Sequence, residues 1–183
     1  MSDIKETIKD FTTSTNVNRE LLMEKLSEFL AVEKGGVKLY RAAIQQVRDA
    51  DVLNKFNDFY LQTQRHQEIL ERVIRELGGD PGYMSHSAKL ADEKAESLLR
   101  TMGGTNSATP REMELNAIEN IVIAETKDRA DWELLGRIAR RTTDSGLRAS
   151  LKPAVDEVEP QEDEHLSWTK QQLARLSLGA LSE

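Results

Sequence analysis

The sequence predicts an all-α fold built on four long amphipathic helices, and three observations carry that expectation. Charged residues make up 31% of the chain, and helix formers dominate over β-branched and aromatic runs. Apolar residues recur at helical spacing over four separate stretches. Strong punctuation divides these stretches: Gly78-Gly79-Asp80-Pro81-Gly82 reads as a helix stop, and Thr109-Pro110-Arg111-Glu112 as a capping box with proline at the first helical position. With 38% hydrophobic residues in 183, such a chain buries one core as a single domain.

Residues 1–17 read as an N-terminal arm, with an amphipathic stretch over 2–11 and helix-start residues in the polar run Thr12–Asn18. The first long helix is expected over 18–48. Its stripe is Leu26, Leu30, Val37, Tyr40, Ile44 and Val47, interrupted by Glu33. Gly35-Gly36 lies inside it at a cost of about 1 kcal/mol per glycine, which points to close approach by a neighbouring helix. The second helix, over 51–77, turns inward Phe56, Phe59, Tyr60, Thr63, His66, Leu70, Val73, Ile74 and Leu77. Residues 83–109 form a connector holding a short helix from Ser87 to Met102, with the charge-rich run Lys89–Arg100 as its solvated face. The third long helix, over 110–141, carries Ile118, Ile121, Val122, Trp132 and Leu135 around Glu125. A turn at Thr142–Gly146 leads to the fourth, over 147–178, which Pro160 should bend. Residues 18–178 thus form the bundle and 179–183 a tail, with one long crossover between the second and third helices.

The net charge of −7 argues against a nucleic-acid partner and favours approach of cations. The absence of cysteine excludes disulfides, thiolate catalysis, iron–sulfur clusters and cysteine-bound iron or zinc. No stretch nears the roughly 20 apolar residues of a membrane span, and the first residues lack an apolar leader core. A cytoplasmic protein that binds neither membrane nor nucleic acid is expected.

Chemistry concentrates in Glu162-Asp163-Glu164-His165. Three residues along a helix turn through about 300°, so Glu162 and His165 share a face. That face is otherwise apolar, with Leu151, Val155, Val158, Leu166 and Leu173. Burying a carboxylate and an imidazole there is costly unless something pairs with them. Glu33, His66 and Glu125 interrupt the other three stripes in the same way. A dinuclear site in a bundle core needs one Glu from each of two helices and Glu-x-x-His from each of the other two. Carboxylate oxygens suit iron or manganese, imidazole adds a neutral nitrogen, and a bridging carboxylate holds two cations about 3.5–4 Å apart. Singly, His66 would read as a core histidine and Glu33 as an ion-paired glutamate. Their recurrence at the middle of four stripes argues for a shared site. His86, between Ser85 and Ser87, reads as a surface or capping histidine, and Tyr60 and Trp132 as core aromatics.

The pattern resembles the ferritin-like di-iron carboxylate superfamily, most closely its bacterioferritin and rubrerythrin branches. Glu33 followed by Tyr40 is similar to the first-helix signature. His66 with Leu70, Leu77, Gly79 and Pro81 is similar to the second, Glu125 fills the third-helix slot, and Glu162, His165 and Trp168 match the fourth. The resemblance covers all four long helices and implies a ferritin-like four-helix bundle. It also implies two iron ions, with Glu33 and His66 terminal on one, Glu125 and His165 terminal on the other, and Glu162 bridging. One position departs: the second-helix glutamate should stand three residues before His66, where Thr63 is found. The remaining set would hold two ions unevenly, or one; manganese fits the same donors. Asp128, one turn after Glu125, would stand in or partner Arg129 or a ligating histidine, and Tyr40 would support a site carboxylate. Gln64 occupies the bacterioferritin haem-methionine position, so no haem is expected.

The function implied is oxidation of ferrous iron, or removal of dioxygen or peroxide, in stress protection, as a di-iron oxidase or peroxidase. The alternative is a non-catalytic ferritin-like oligomer with a degenerate site, serving as a stress or interaction protein. The last residues, Ser177–Glu183, are short and glycine-interrupted, whereas the resemblance implies that cage-forming relatives add a fifth helix. A homodimer is therefore expected, closed two-fold symmetry being the commonest assembly. Light scattering should return the mass of two chains, and a particle of about 24 chains would contradict this.

Overall fold

The computed structural model describes residues 16–103 and 108–182, and five helices with no strand account for nearly all of them. They are α1 (Arg19–Gln46), α2 (Ala50–Glu76), α3 (His86–Met102), α4 (Pro110–Arg141) and α5 (Ser145–Leu181). The expected amphipathic arm and part of the loop at 103–108 lie outside the described residues.

Local chemistry sets the ends. The Asn18 and Asp49 side chains accept from the first free N–H groups of α1 and α2, and Asp144 does so for α5. The Thr109/Glu112 capping box is formed at α4, with Pro110 as its first residue. At the end of α2, Gly79 N–H bonds Ile74 C=O at 2.8 Å and Gly78 N–H bonds Arg75 C=O at 3.0 Å. That is a Schellman cap, and Gly78 supplies the left-handed residue it needs at φ 83°. Glu114 of α4 joins the α1–α2 corner by accepting from both Arg48 N–H and Asp49 N–H at 2.7 Å.

One expectation about α5 is corrected. The helix runs past residue 178 to Leu181, taking in the first residues of the segment read as a tail. It also continues through both Pro153 and Pro160. Each proline removes one helical bond, but both rings are exposed, as are residues 149 and 156, whose carbonyls are freed. The freed carbonyls thus belong to solvent-exposed residues, and packing on α2 and α4 carries the helix across.

Ion pairs give the directions. Arg19 meets Asp144 at one end of the α1–α4 seam, and the α1–α2 corner meets Glu114 at the other, so these helices are antiparallel. Along the α2–α5 seam the pairs are Asp49–Arg175, Lys55–Glu164 and Arg65–Glu157, again antiparallel. Short corners at 47–49 and 142–144 make hairpins of α1–α2 and α4–α5. Every neighbouring pair among the four long helices is therefore antiparallel, which requires the long crossover between α2 and α4. Helix α3 makes that crossover along α1, tied by Lys38 to Asp92 at 3.2 Å and Glu96 at 2.8 Å.

The core falls into two large apolar clusters, with a small third of Ala31, Ala88 and Ala91 between α1 and α3. One gathers Leu22, Leu26, Phe29, Leu70, Val73, Trp132, Leu135, Leu151 and Val158. The other gathers Leu39, Tyr40, Val52, Phe56, Phe59, Ile118 and Ile121, with Trp168 and Leu173 against it. Each fully buried large side chain contributes about 1.5–3 kcal/mol. Between these two clusters each long helix places buried polar residues: Glu33 on α1, Thr63 and His66 on α2, Glu125 and Asp128 on α4, and Glu162 and His165 on α5.

The paired glycines of α1 mark close approach, as expected. A Cβ on Gly35 would stand 2.7 Å from the Ala95 Cβ of α3, and one on Gly36 3.2 Å from Thr63 Cγ2 of α2. Gly35→Ala should lower stability by about 1–2 kcal/mol, because overpacking against a rigid methyl outweighs the helix-propensity gain. Chemical denaturation measures this. Adding Ala95→Gly should recover much of the loss, and a Gly35→Ala protein more stable than the native one would overturn the contact.

Candidate metal centre

All five residues read from the sequence as ligands converge in the layer between the two apolar clusters. Glu33, His66, Glu162 and His165 are 0% exposed and Glu125 is 3% exposed. They come from α1, α2, α4 and α5, placed by the stripe of each helix.

Glu162 is the centre of the arrangement. Its Oε1 lies 3.0 Å from His66 Nδ1 and 3.3 Å from His165 Nδ1. The imidazoles stack at 5.6 Å between centroids, 23° from parallel. Glu33 Oε1 stands 3.7 Å from His66 Nδ1, and Glu125 Oε2 stands 3.4 Å from His165 Nδ1. Two triads result, Glu33–His66–Glu162 and Glu125–Glu162–His165, in each of which the donor atoms lie within 4.8 Å of one another. Donors bound at about 2.0–2.2 Å to one ion stand at most about 4.4 Å apart. The triads therefore have the spacing of a cation site before small inward adjustment, and they share Glu162.

The layer is electrostatically self-compensated. Burial pushes the Glu33 carboxyl up to about 8, against the pull of His66. Burial and then the charge on Glu162 push Glu125 up. Burial alone would raise Glu162 too, but His165 and His66 outweigh it and hold this carboxylate at about 2. Burial disfavours charge on the histidines, yet Glu125 and Glu162 lift His165 to about 10, and Glu162 and Glu33 lift His66.

Compensation leaves hydrogen-bonding capacity unused. Glu33 Oε2, His66 Nδ1, Glu125 Oε2, both Glu162 oxygens and His165 Nδ1 are buried without a well-formed hydrogen bond. Asp128 Oδ1, Tyr40 OH and Thr169 Oγ1 are in the same condition. Native cores satisfy the large majority of such atoms. Such a cluster of carboxylate and imidazole atoms could hold a metal ion, and oxygen-plus-nitrogen donors suit iron, manganese and zinc.

The flanking residues divide. Tyr40 is buried and faces Glu125 of α4 rather than Glu33 of its own helix; burial and then Glu125 push its phenol well above the ordinary range. Asp128 is buried beside the layer, and burial followed by the field of Glu33 raises it well above its ordinary value. The expected Asp128–Arg129 pair is not formed. Arg129 turns outward to Asp163 at 2.6 Å and Glu133 at 3.4 Å, because the next residue on a helix faces about 100° away. Thr63 is buried, and its Oγ1 donates to its own helix at Phe59 C=O, 2.9 Å away. His86 is exposed at the start of α3, where Ser85 is the cap.

Sequence reading missed the residues that hold these side chains in place. Trp132 Nε1 donates to Glu33 Oε1 at 2.7 Å. Gln161 Oε1 stands 2.9 Å from His66 Nε2, and Gln62 Oε1 stands 2.7 Å from His165 Nε2. A signal was present: a glutamine precedes each histidine by four residues, and an aromatic follows each of Glu33 and Glu125 by seven. These spacings relate the two hairpins by an approximate two-fold correspondence in which each residue serves the opposite half. The correspondence fails at one layer, where Glu162 and Asp128 are matched by Thr63 and Gly36.

No protein-family model, curated protein or solved structure matches this chain. No helix among the described residues is long and apolar enough to cross a membrane.

Proposed function

We propose that this chain is a ferritin-like metalloprotein whose bundle core binds two divalent cations, iron or manganese, and which oxidises ferrous iron or removes dioxygen or peroxide. The observation that carries the proposal is the pair of buried triads sharing Glu162. The antiparallel hairpins and long crossover support the ferritin-like reading, since that topology brings the middles of all four long helices to one layer.

In this reading bound iron supplies the redox chemistry, with ferrous iron as reductant and dioxygen or peroxide as oxidant. The chain's residues do the rest. Glu33 and His66 would hold one ion and Glu125 and His165 the other, with Glu162 common to both triads. Loading would release the Nδ1 proton of each histidine. Asp128, its carboxyl pushed well above the ordinary range by burial and then by the field of Glu33, lies beside these carboxylates. The apolar clusters on either side exclude bulk water.

A second reading follows from Thr63. Its hydroxyl donates to the Phe59 carbonyl and brings neither the negative charge nor the second oxygen of a carboxylate, leaving Glu162 as the sole bridging carboxylate. A chain whose site has lost one carboxylate would serve as a non-catalytic helical stress or interaction protein.

Metal content per chain decides between the two. Protein expressed in iron-replete medium should carry up to two transition-metal equivalents, and Glu162→Ala with His165→Ala should lose them. Full metal stoichiometry in that double variant would exclude this site, and none in the native protein would favour the second reading.

The vacancy can be tested directly. Thr63→Glu restores the second Glu-x-x-His pair, so it should tighten binding of the second ion by about tenfold or more and accelerate oxygen-dependent ferrous oxidation. Unchanged stoichiometry and rate would show that Thr63 does not limit the site.

A further inference from the structure

The two glutamines at the edge of the layer occupy mirrored positions. Gln62 precedes His66 by four residues, and Gln161 precedes His165 by four. Neither serves the histidine of its own helix. Gln161 of α5 reaches His66 of α2 at 2.9 Å, and Gln62 of α2 reaches His165 of α5 at 2.7 Å. Both glutamines are half-buried, whereas both imidazoles are fully buried.

In each pair the amide presents its oxygen, which can only accept. The imidazole must therefore carry hydrogen on Nε2, whatever its charge. Nδ1 is left as the nitrogen that can shed a proton, and both Nδ1 atoms already converge on Glu162 Oε1. The ring faces are held as well: Phe59 lies 4.1 Å from the His165 ring centroid, and Trp132 lies 6.1 Å from that of His66.

We propose that Gln62 and Gln161 are the positioning residues of the centre, a crossed clamp that commits His66 and His165 to the cations through Nδ1. This rests on the metal-binding reading. The crossing has a consequence of its own: Gln161 sits beside the bridging Glu162 yet orients the terminal ligand of the opposite triad. Damage at one glutamine therefore appears at the histidine of the other helix.

The chain has three histidines, so ring-nitrogen magnetic resonance on protein labelled with ¹⁵N-histidine can be assigned by variants. In metal-free protein His66 and His165 should each show a slowly exchanging Nε2–H, and exposed His86 should show none. Gln161→Leu should remove the signal of His66 and spare that of His165, and Gln62→Leu should do the reverse. Gln161→Glu keeps an accepting oxygen, so it should retain the signal and guard against a folding defect. With zinc as a diamagnetic probe, coordination should appear at Nδ1 of both rings, and each leucine variant should bind zinc about 10–100-fold more weakly.

Each result decides something. Zinc bound through Nε2, signals lost on the same helix as the substitution, or leucine variants with native zinc affinity would overturn the clamp. The crossed pattern without any zinc binding would overturn the metal-binding reading, and with it the positioning role. Zinc binding without the crossed pattern would sink the clamp alone.

Discussion

The structure turns on one constraint: ionisable side chains from four helices share a dry layer and must satisfy one another there. An isolated buried carboxylate costs several kcal/mol even after relaxation, and this layer holds Glu33, Glu125, Glu162 and Asp128 together. Two imidazoles offset part of that charge, with Glu162 between them. The Trp132 indole and two glutamine amides take up further groups at the edge. The apolar clusters keep the layer dry but cannot neutralise it. What they leave is a set of oxygen and nitrogen atoms facing inward, a surface suited to positive charge.

Thr63 shows how a bundle absorbs the loss of one such group. A hydroxyl can turn back to the carbonyl four residues earlier, which a carboxylate cannot, so the position costs no unpaired charge. Its methyl fits against Gly36, where α1 has no side chain. The opposite half keeps Glu162 and Asp128 at the matching positions. The negative charge of the layer is therefore weighted toward α4 and α5, and the two triads are chemically unequal although they share Glu162.

Much of this was legible from sequence because its causes are local. Caps and glycine stops depend on a few adjacent residues, so α4 was placed at its observed bounds from the Thr109 box and its apolar stripe. The five convergent residues stood out because each interrupts a stripe at its middle. What escaped depends on partners far along the chain. Trp132 read as a core aromatic, and its ring is one, but its N–H meets a carboxylate that no nearby sequence reveals. Gln62 lies only partly inward on its own helix, and its role exists because His165 comes to it. The end of α5 was read short for a different reason. A glycine near a helix terminus costs about 1 kcal/mol, and the packing of Leu173 and Leu176 on the far cluster carries the helix beyond it.

The crossed contacts also bear on how the chain folds. The bonds from Trp132 to Glu33, His66 to Gln161 and His165 to Gln62 join residues 99, 95 and 103 apart in sequence. Closing loops of that length is entropically costly, and contacts of high sequence separation are slow to form. Either hairpin can assemble from its own local contacts, but neither can satisfy its half of the layer. The polar layer thus matures in the docking step, after both hairpins exist. Until then each carries exposed carboxylates and imidazoles that keep its inner face hydrated, which disfavours premature association of half-built chains through that face.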